Sequence, residues 1–134
     1  MELLEKDNTA KIIKVFYKVY NILGYGFLEK VYRNAMFLEL ISEGIQVEKN
    51  SQIIVYYEND IVGEYYADLK ANNKIVIEIK AAESIVEAHE LQLINYLKAT
   101  ELEVGLLLNF GRRAEFKRKL FTNNLKKIKP VKIG

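Results

Sequence analysis

The chain has 134 residues, half of them apolar, enough to bury a core without help and in the size range of one domain spanning 1–134. It contains no cysteine, which excludes a disulfide framework, thiolate metal sites and cysteine nucleophiles and fits a reducing compartment; any metal must bind oxygen or the one imidazole, His89. The formal charge of +2 conceals an asymmetry: residues 1–111 hold 11 Lys/Arg against 17 Asp/Glu, about −6, whereas 112–134 hold 9 against Glu115 alone, about +8.

Met1 to Ala10 is polar with no apolar signal core, and no apolar run approaches the ~20 residues of a membrane span, so the chain reads as soluble and cytoplasmic with no membrane partner. From Asn8 onward Ile12, Ile13, Val15, Phe16, Val19, Tyr20 and Leu23 recur at helical spacing, with Asn8 or Thr9 able to cap the start. Gly24-Tyr25-Gly26 breaks this helix; lacking a preceding strand and a Lys-Ser/Thr pair, it is no phosphate loop. A second helix follows through Leu28, Val31, Tyr32, Ala35, Leu38 and Ile41 to the stop signal Gly44.

Beyond Gly44 the period changes to two. Ile53 to Tyr57 reads as a strand and Ile61 to Leu69 as its antiparallel partner after the Glu58-Asn59-Asp60 turn. Asn72-Asn73 then turns the chain into a third strand, Lys74 to Lys80. Residues 83–99 return to helical spacing, and Glu103 to Phe110 is nearly all apolar, as in a central strand covered on both faces. Glu115 to Phe121 fits a basic edge strand or a short helix, the strand being the favoured reading, before a tail containing Pro130. The order ααβββαβ(β) predicts an α/β fold with a mixed sheet flanked by helices.

The third strand alternates Ile75, Ile77 and Ile79 on one face with Val76, Glu78 and Lys80 on the other. Asp68, near the end of the preceding strand, is within reach across the hairpin. Two carboxylates beside an ammonium suit phosphodiester hydrolysis: the carboxylates hold a hard cation that acidifies a water, and the ammonium orients that water or steadies charge. Judged alone, Glu-x-Lys on a strand is more often a solvated pair. Its place at the end of an Ile/Val strand, followed by small Ala81-Ala82, weighs toward a site. His89, flanked by Glu87 and Glu90, is more often a boundary residue than a ligand, and most tyrosines sit at spacings that fit packing. The basic residues Arg112, Arg113, Lys117, Arg118, Lys119, Lys126, Lys127, Lys129 and Lys132 serve equally well as a phosphate-binding surface or as a solvated strand and tail.

Gly26-Phe-Leu-Glu29-Lys-Val-Tyr32 resembles the G-x-x-E-x-x-Y signature of the family named for it, a branch of the PD-(D/E)xK nuclease superfamily. Tyr66-Ala-Asp68-Leu, Ile77-Glu78-Ile79-Lys80-Ala81, His89-Glu-Leu-Gln92-Leu-Ile-Asn-Tyr96-Leu-Lys and Val104-Gly-Leu-Leu-Leu-Asn-Phe-Gly111 resemble that family's successive blocks, in order, over roughly 21–111. Gln92 and Tyr96 resemble the Q-x-x-x-Y motif of RecB-type nucleases. Ala67 stands where the superfamily's name has Pro. The resemblance implies a restriction-endonuclease-like core with Asp68, Glu78 and the Ile79 carbonyl as ligands of Mg²⁺ or Mn²⁺ and Lys80 as the water-orienting cation. It further implies Glu29 as an added acidic group and Gln92 and Tyr96 as supporting or phosphate-facing groups. Together with the basic segment 112–119 it points to a metal-dependent nuclease acting on nucleic acid, DNA first, with a homodimer compatible. The alternatives are a non-catalytic nucleic-acid-binding module and a protein-interaction module on the same fold.

Overall fold

The structure, a computed structural model, describes residues 4–128; Met1 to Leu3 and the tail with Lys129, Pro130 and Lys132 lie outside the described residues. Helices α1 (Lys6–Leu23) and α2 (Glu29–Ser42) precede strands β1 (Val47–Tyr57), β2 (Asp60–Ala71) and β3 (Ile75–Lys80). Helix α3 (Glu87–Ala99), strands β4 (Val104–Phe110) and β5 (Ala114–Leu120) and a short 3₁₀ turn follow. The strands form one sheet in chain order, β1-β2-β3-β4-β5, antiparallel except for the β3/β4 pair, which is parallel because α3 carries the chain back across the sheet. The predicted α/β class and element order hold, including β5 as an edge strand.

The boundaries differ where local signals were weak. Helix α1 starts at Lys6, before the predicted caps: Glu5 occupies the left-handed region at φ 55°. Asn8 instead donates to the Glu5 carboxylate at 2.9 Å, and the Thr9 hydroxyl donates back to the Glu5 carbonyl at 2.9 Å. Apolar periodicity locates a helix's buried face, and here the first turn is polar. Helix α3 begins at Glu87, four residues later than predicted, with the His89 Nδ1 accepting from the Val86 N–H at 3.2 Å to close its first turn, a capping role. The Asn72-Asn73 turn forms, both residues left-handed at φ 52° and 54° and closed by the Lys74 N–H donating to the Ala71 carbonyl at 2.9 Å, with β3 starting one residue later than predicted, at Ile75 opposite Ala71.

The sheet separates two cores. On one side Ile75, Ile77 and Ile79 of β3 and Leu106, Leu108 and Phe110 of β4 pack under α1 and α2, with Phe16, Tyr32 and Met36 buried among them. On the other, Val76 and Leu107 pack under Leu93, Tyr96 and Leu97 of α3. Strand β4 is therefore buried throughout, as its nearly all-apolar run predicted. Helix α3 comes close because Gly105 lacks a side chain: a Cβ there would lie 2.6 Å from a Leu93 methyl.

Strand β2 changes sides at Asp68. Leu69 and Ala71 belong to the α1/α2 core, whereas Ala67 and, on β1, Ile53 belong to the α3 core. A regular strand would keep residues 67 and 69 on one face. The break is matched on β1 by Asn50, at φ 51°, where the pairing skips from Lys49↔Leu69 to Ser51↔Ala67. Asparagine tolerates that left-handed conformation better than most residues. The outer part of the β1–β2 hairpin thereby folds over α3, and β2 leaves β3: their paired residues are Leu69↔Ile77, Lys70↔Val76 and Ala71↔Ile75.

Candidate active site

Where the β2–β3 ladder stops, side chains take over. The Ile79 amide donates to Asp68 Oδ2 at 2.8 Å, and the Asp68 amide donates to Glu78 Oε1 at 3.3 Å. Each carboxylate thus satisfies a backbone N–H of the opposite strand that would otherwise lack a ladder partner. This fixes Asp68 against Glu78 at the mouth of the opening between the strands.

Glu78 is 4% exposed. Burial, reinforced by the Asp68 charge and by a hydrogen bond with Asp68, pushes its carboxyl up to about 9; the Asp68 amide and the Lys80 charge act in the opposite direction and do not prevail. Without a cation, Glu78 therefore keeps a proton at neutral pH, shared toward Asp68.

Lys80, two residues along on the same face, donates to Gln92 Oε1 at 3.1 Å, and Gln92 Nε2 donates to the Tyr96 hydroxyl at 3.1 Å. The i, i+4 spacing on α3 stacks Gln92 over Tyr96. Burial, then the Glu78 and Asp68 charges, push the Tyr96 phenol up to about 12, so it stays protonated. The pair holds the Lys80 ammonium by its tip.

Asn109, fully buried on β4 opposite Lys80, fixes the segment after β3: its Oδ1 accepts from the Ala82 N–H at 2.9 Å and its Nδ2 donates to the Ala82 carbonyl at 3.0 Å. Gly111 lets this segment approach, since a Cβ there would lie 2.4 Å from the Ala82 carbonyl oxygen. Asn109→Ala strands both Ala82 groups, and a loss of about 1–3 kcal/mol is expected. A urea melt checks it, and a variant as stable as wild type would show that Asn109 does not hold this turn.

The sequence did not single out Arg33. From α2 its Nη1 reaches Asp68 Oδ1 at 3.4 Å, while its Nε is buried without a partner among the described residues. The one local signal is that Arg33 follows Glu29 by one helical turn and shares its face. Glu29 itself is exposed at the start of α2, and among the described residues no three acidic or histidine side chains gather into a metal-holding group. Asp68 and Glu78 are brought together as a pair, and Glu29 does not join them. Tyr32, the last residue of the G-x-x-E-x-x-Y stretch, is structural: it stacks on Phe110 at 4.3 Å, donates to the Gly24 carbonyl at 2.8 Å and accepts from the Phe27 N–H at 3.2 Å.

The basic segment divides. Arg118 lies on the α1 side of β5 and donates to the Leu4 carbonyl; Lys119, on the α3 side, pairs with Glu90 at 2.6 Å. Lys117 is exposed, as are Arg112 and Arg113 in the β4–β5 turn, while Lys126 donates to the Thr100 and Leu102 carbonyls, both at 2.7 Å.

An Asp and a Glu-x-Lys thus meet at a splayed strand pair, with α3 carrying a Gln-Tyr pair over the lysine. Residues 6–119 match the PD-(D/E)XK nuclease superfamily. The chain belongs to that superfamily. Among solved structures, that of SSO0001 is similar, with a TM-score of 0.53 and 18% identity over 69% of this chain and 50% of that one. This chain spans half the length of SSO0001, and the likeness is one of fold; the mixed five-stranded sheet with helices is consistent with the restriction-endonuclease-like fold of the superfamily. No curated protein matches. No helix among the described residues is long and apolar enough to cross a membrane.

Proposed function

We propose that this PD-(D/E)XK protein, read as a member of the GxxExxY branch, is a nuclease that hydrolyses phosphodiester bonds of nucleic acid with Mg²⁺ or Mn²⁺, DNA being the substrate to test first. The observation that carries the reading is the convergence of Asp68 and Glu78 where β2 leaves β3, with Lys80 aimed to the same side.

The donor set suits a hard divalent cation: two carboxylates that repel when both are ionised, with no cysteine in the chain. Ile79 adds a third oxygen, because the N–H and C=O of one strand residue point to the same side, and its N–H points into the opening toward Asp68. Asp68, Glu78 and the Ile79 carbonyl would hold the ion. When bound, such an ion polarises the phosphodiester and lowers the pKa of a water.

The chain's own groups do the rest. Lys80, held by Gln92, presents an ammonium that orients the attacking water and offsets charge building on the phosphate. Arg33 holds Asp68 aimed from the α2 side. Because β3 and β4 are parallel, with Lys80 opposite Asn109, the β4–β5 turn with Arg112 and Arg113 lies at the same end of the sheet, and these two with Lys117 are exposed cations that can meet phosphates. Arg118 and Lys119 contribute less, being engaged with Leu4 and Glu90.

The test is calorimetric titration of Mg²⁺ and Mn²⁺ into wild type and Asp68→Asn, followed by a nuclease assay on mixed DNA and RNA. Saturable binding that the variant loses, with cleavage only in the presence of the ion, is expected. No binding by wild type, even with nucleic acid present, would sink the proposal and favour a non-catalytic module.

A further inference from the structure

Beside the Lys80-Gln92-Tyr96 chain lies a cleft of about 470 Å³ between the outer β1–β2 hairpin and α3, within the ~300–1,000 Å³ typical of small-ligand sites. Val55 and Tyr65 form one wall, Leu91 and Asn95 the other, and Gln92 and Tyr96 belong to both this cleft and the hydrogen-bond chain that ends on Lys80. An occupant of the cleft therefore touches the residues that hold the proposed phosphate-facing lysine.

The surface is built for a flat apolar group with a polar edge. Tyr65 leans on Tyr96, centroids 5.6 Å apart, yet 49% of it stays exposed, and Leu91 opposite is 50% exposed. A strand tyrosine serving only the core would bury its ring; this one is braced from behind and open in front. Asn95 adds a side-chain amide that both donates and accepts hydrogen bonds, able to meet the edge of a heterocycle. The cleft thus offers an aromatic face, has Lys98 in its lining, and adjoins the proposed active site through Gln92 and Tyr96.

We propose that this cleft receives one unpaired nucleobase next to the scissile phosphate, stacked on Tyr65, and that the protein therefore acts on single-stranded or frayed segments in preference to continuous duplex. The inference rests on the nuclease reading above. A base inside a duplex has both faces covered by its neighbours and can offer a face to Tyr65 only by leaving the stack, which costs free energy that a single strand does not spend. Stacking on an aromatic side chain tolerates any base, so the cleft selects strandedness and not sequence.

The experiment measures binding and cleavage of a single-stranded oligonucleotide and of the corresponding duplex, binding being read with Ca²⁺ in place of Mg²⁺. Wild type, Tyr65→Phe and Tyr65→Ala are compared after their melting temperatures are checked. Expected is tighter binding and faster cleavage of the single strand by wild type and Tyr65→Phe, with Tyr65→Ala losing roughly tenfold or more in single-strand affinity and little in duplex affinity. Should Tyr65→Ala fail to fold, Leu91→Ala on the exposed helix face gives the same readout. Cleavage that is equal on both substrates, or indifferent to Tyr65, overturns the cleft proposal and leaves the nuclease reading standing; wild type that neither binds nor cuts either substrate overturns both.

Discussion

Glu78→Gln is expected to melt higher than wild type in chelator at pH 7 while losing all metal-dependent cleavage. The carboxyl's folded-state pKa is raised to about 9 from an ordinary 4.5. A raised pKa contributes stability that is fully present below the unfolded value and is lost as pH climbs toward the folded one. At pH 7 the unfolded chain has released the proton that the folded chain still holds, a penalty of roughly 3 kcal/mol at about 1.4 kcal/mol per unit. Glutamine fills the same space without charge and can still donate to Asp68, so it removes most of that penalty. The gap between variant and wild type should vanish below about pH 4.5 and widen as pH rises toward 9. Denaturant melts at pH 4, 7 and 8.5 read this directly, and equal stability at all three would mean that Glu78 is solvated. Adding Mg²⁺ should narrow the gap from the other side, because only wild type gains stability by binding the ion. A site that destabilises its own fold in this way is common where function requires a buried charge.

Lys80→Ala should cut the single-turnover cleavage rate by roughly 10²–10³ at saturating metal, the loss typical of a group that stabilises developing charge. Binding of Mg²⁺ should change little, since the lysine is not a ligand and its Nζ is held by Gln92. Gln92→Ala should fall between wild type and Lys80→Ala, because the ammonium remains but loses its anchor. If Lys80→Ala cuts at the wild-type rate, the lysine is one half of a solvated strand pair and the water must be oriented by another group.

Much of this site was legible because its signals are local. The alternation Ile75, Ile77, Ile79 against Val76, Glu78, Lys80 fixes which side chains share a face, and Gln92 and Tyr96 meet by helical period alone. Asn109 was visible as the one polar side chain in an apolar strand, though its duty to Ala82 was not. Arg33 escaped notice because its reach to Asp68 depends on α2 lying beside the opening between β2 and β3, a tertiary relation that no spacing encodes. The same opening was invisible for a second reason: strand period predicts that residues 67 and 69 share a face, and only Asn50, far along the chain, marks the place where they do not. For the basic segment, net charge was the wrong measure. The period of two already sends Arg118 to one side of β5 and Lys117 and Lys119 to the other, and Glu90 claims one of those.

The sheet that divides the molecule also divides its labour in time. Among the described residues, 17 buried core members lie with α1 and α2 and 8 with α3. Regions that bury fewer apolar side chains open at lower free energy than the global unfolding step. In native-state hydrogen exchange the amides of α3 and the outer hairpin should thus trade with solvent ahead of those of α1, α2 and β4. The scaffold can stay closed while the working face breathes, so a bound strand could be released without the rest of the molecule loosening.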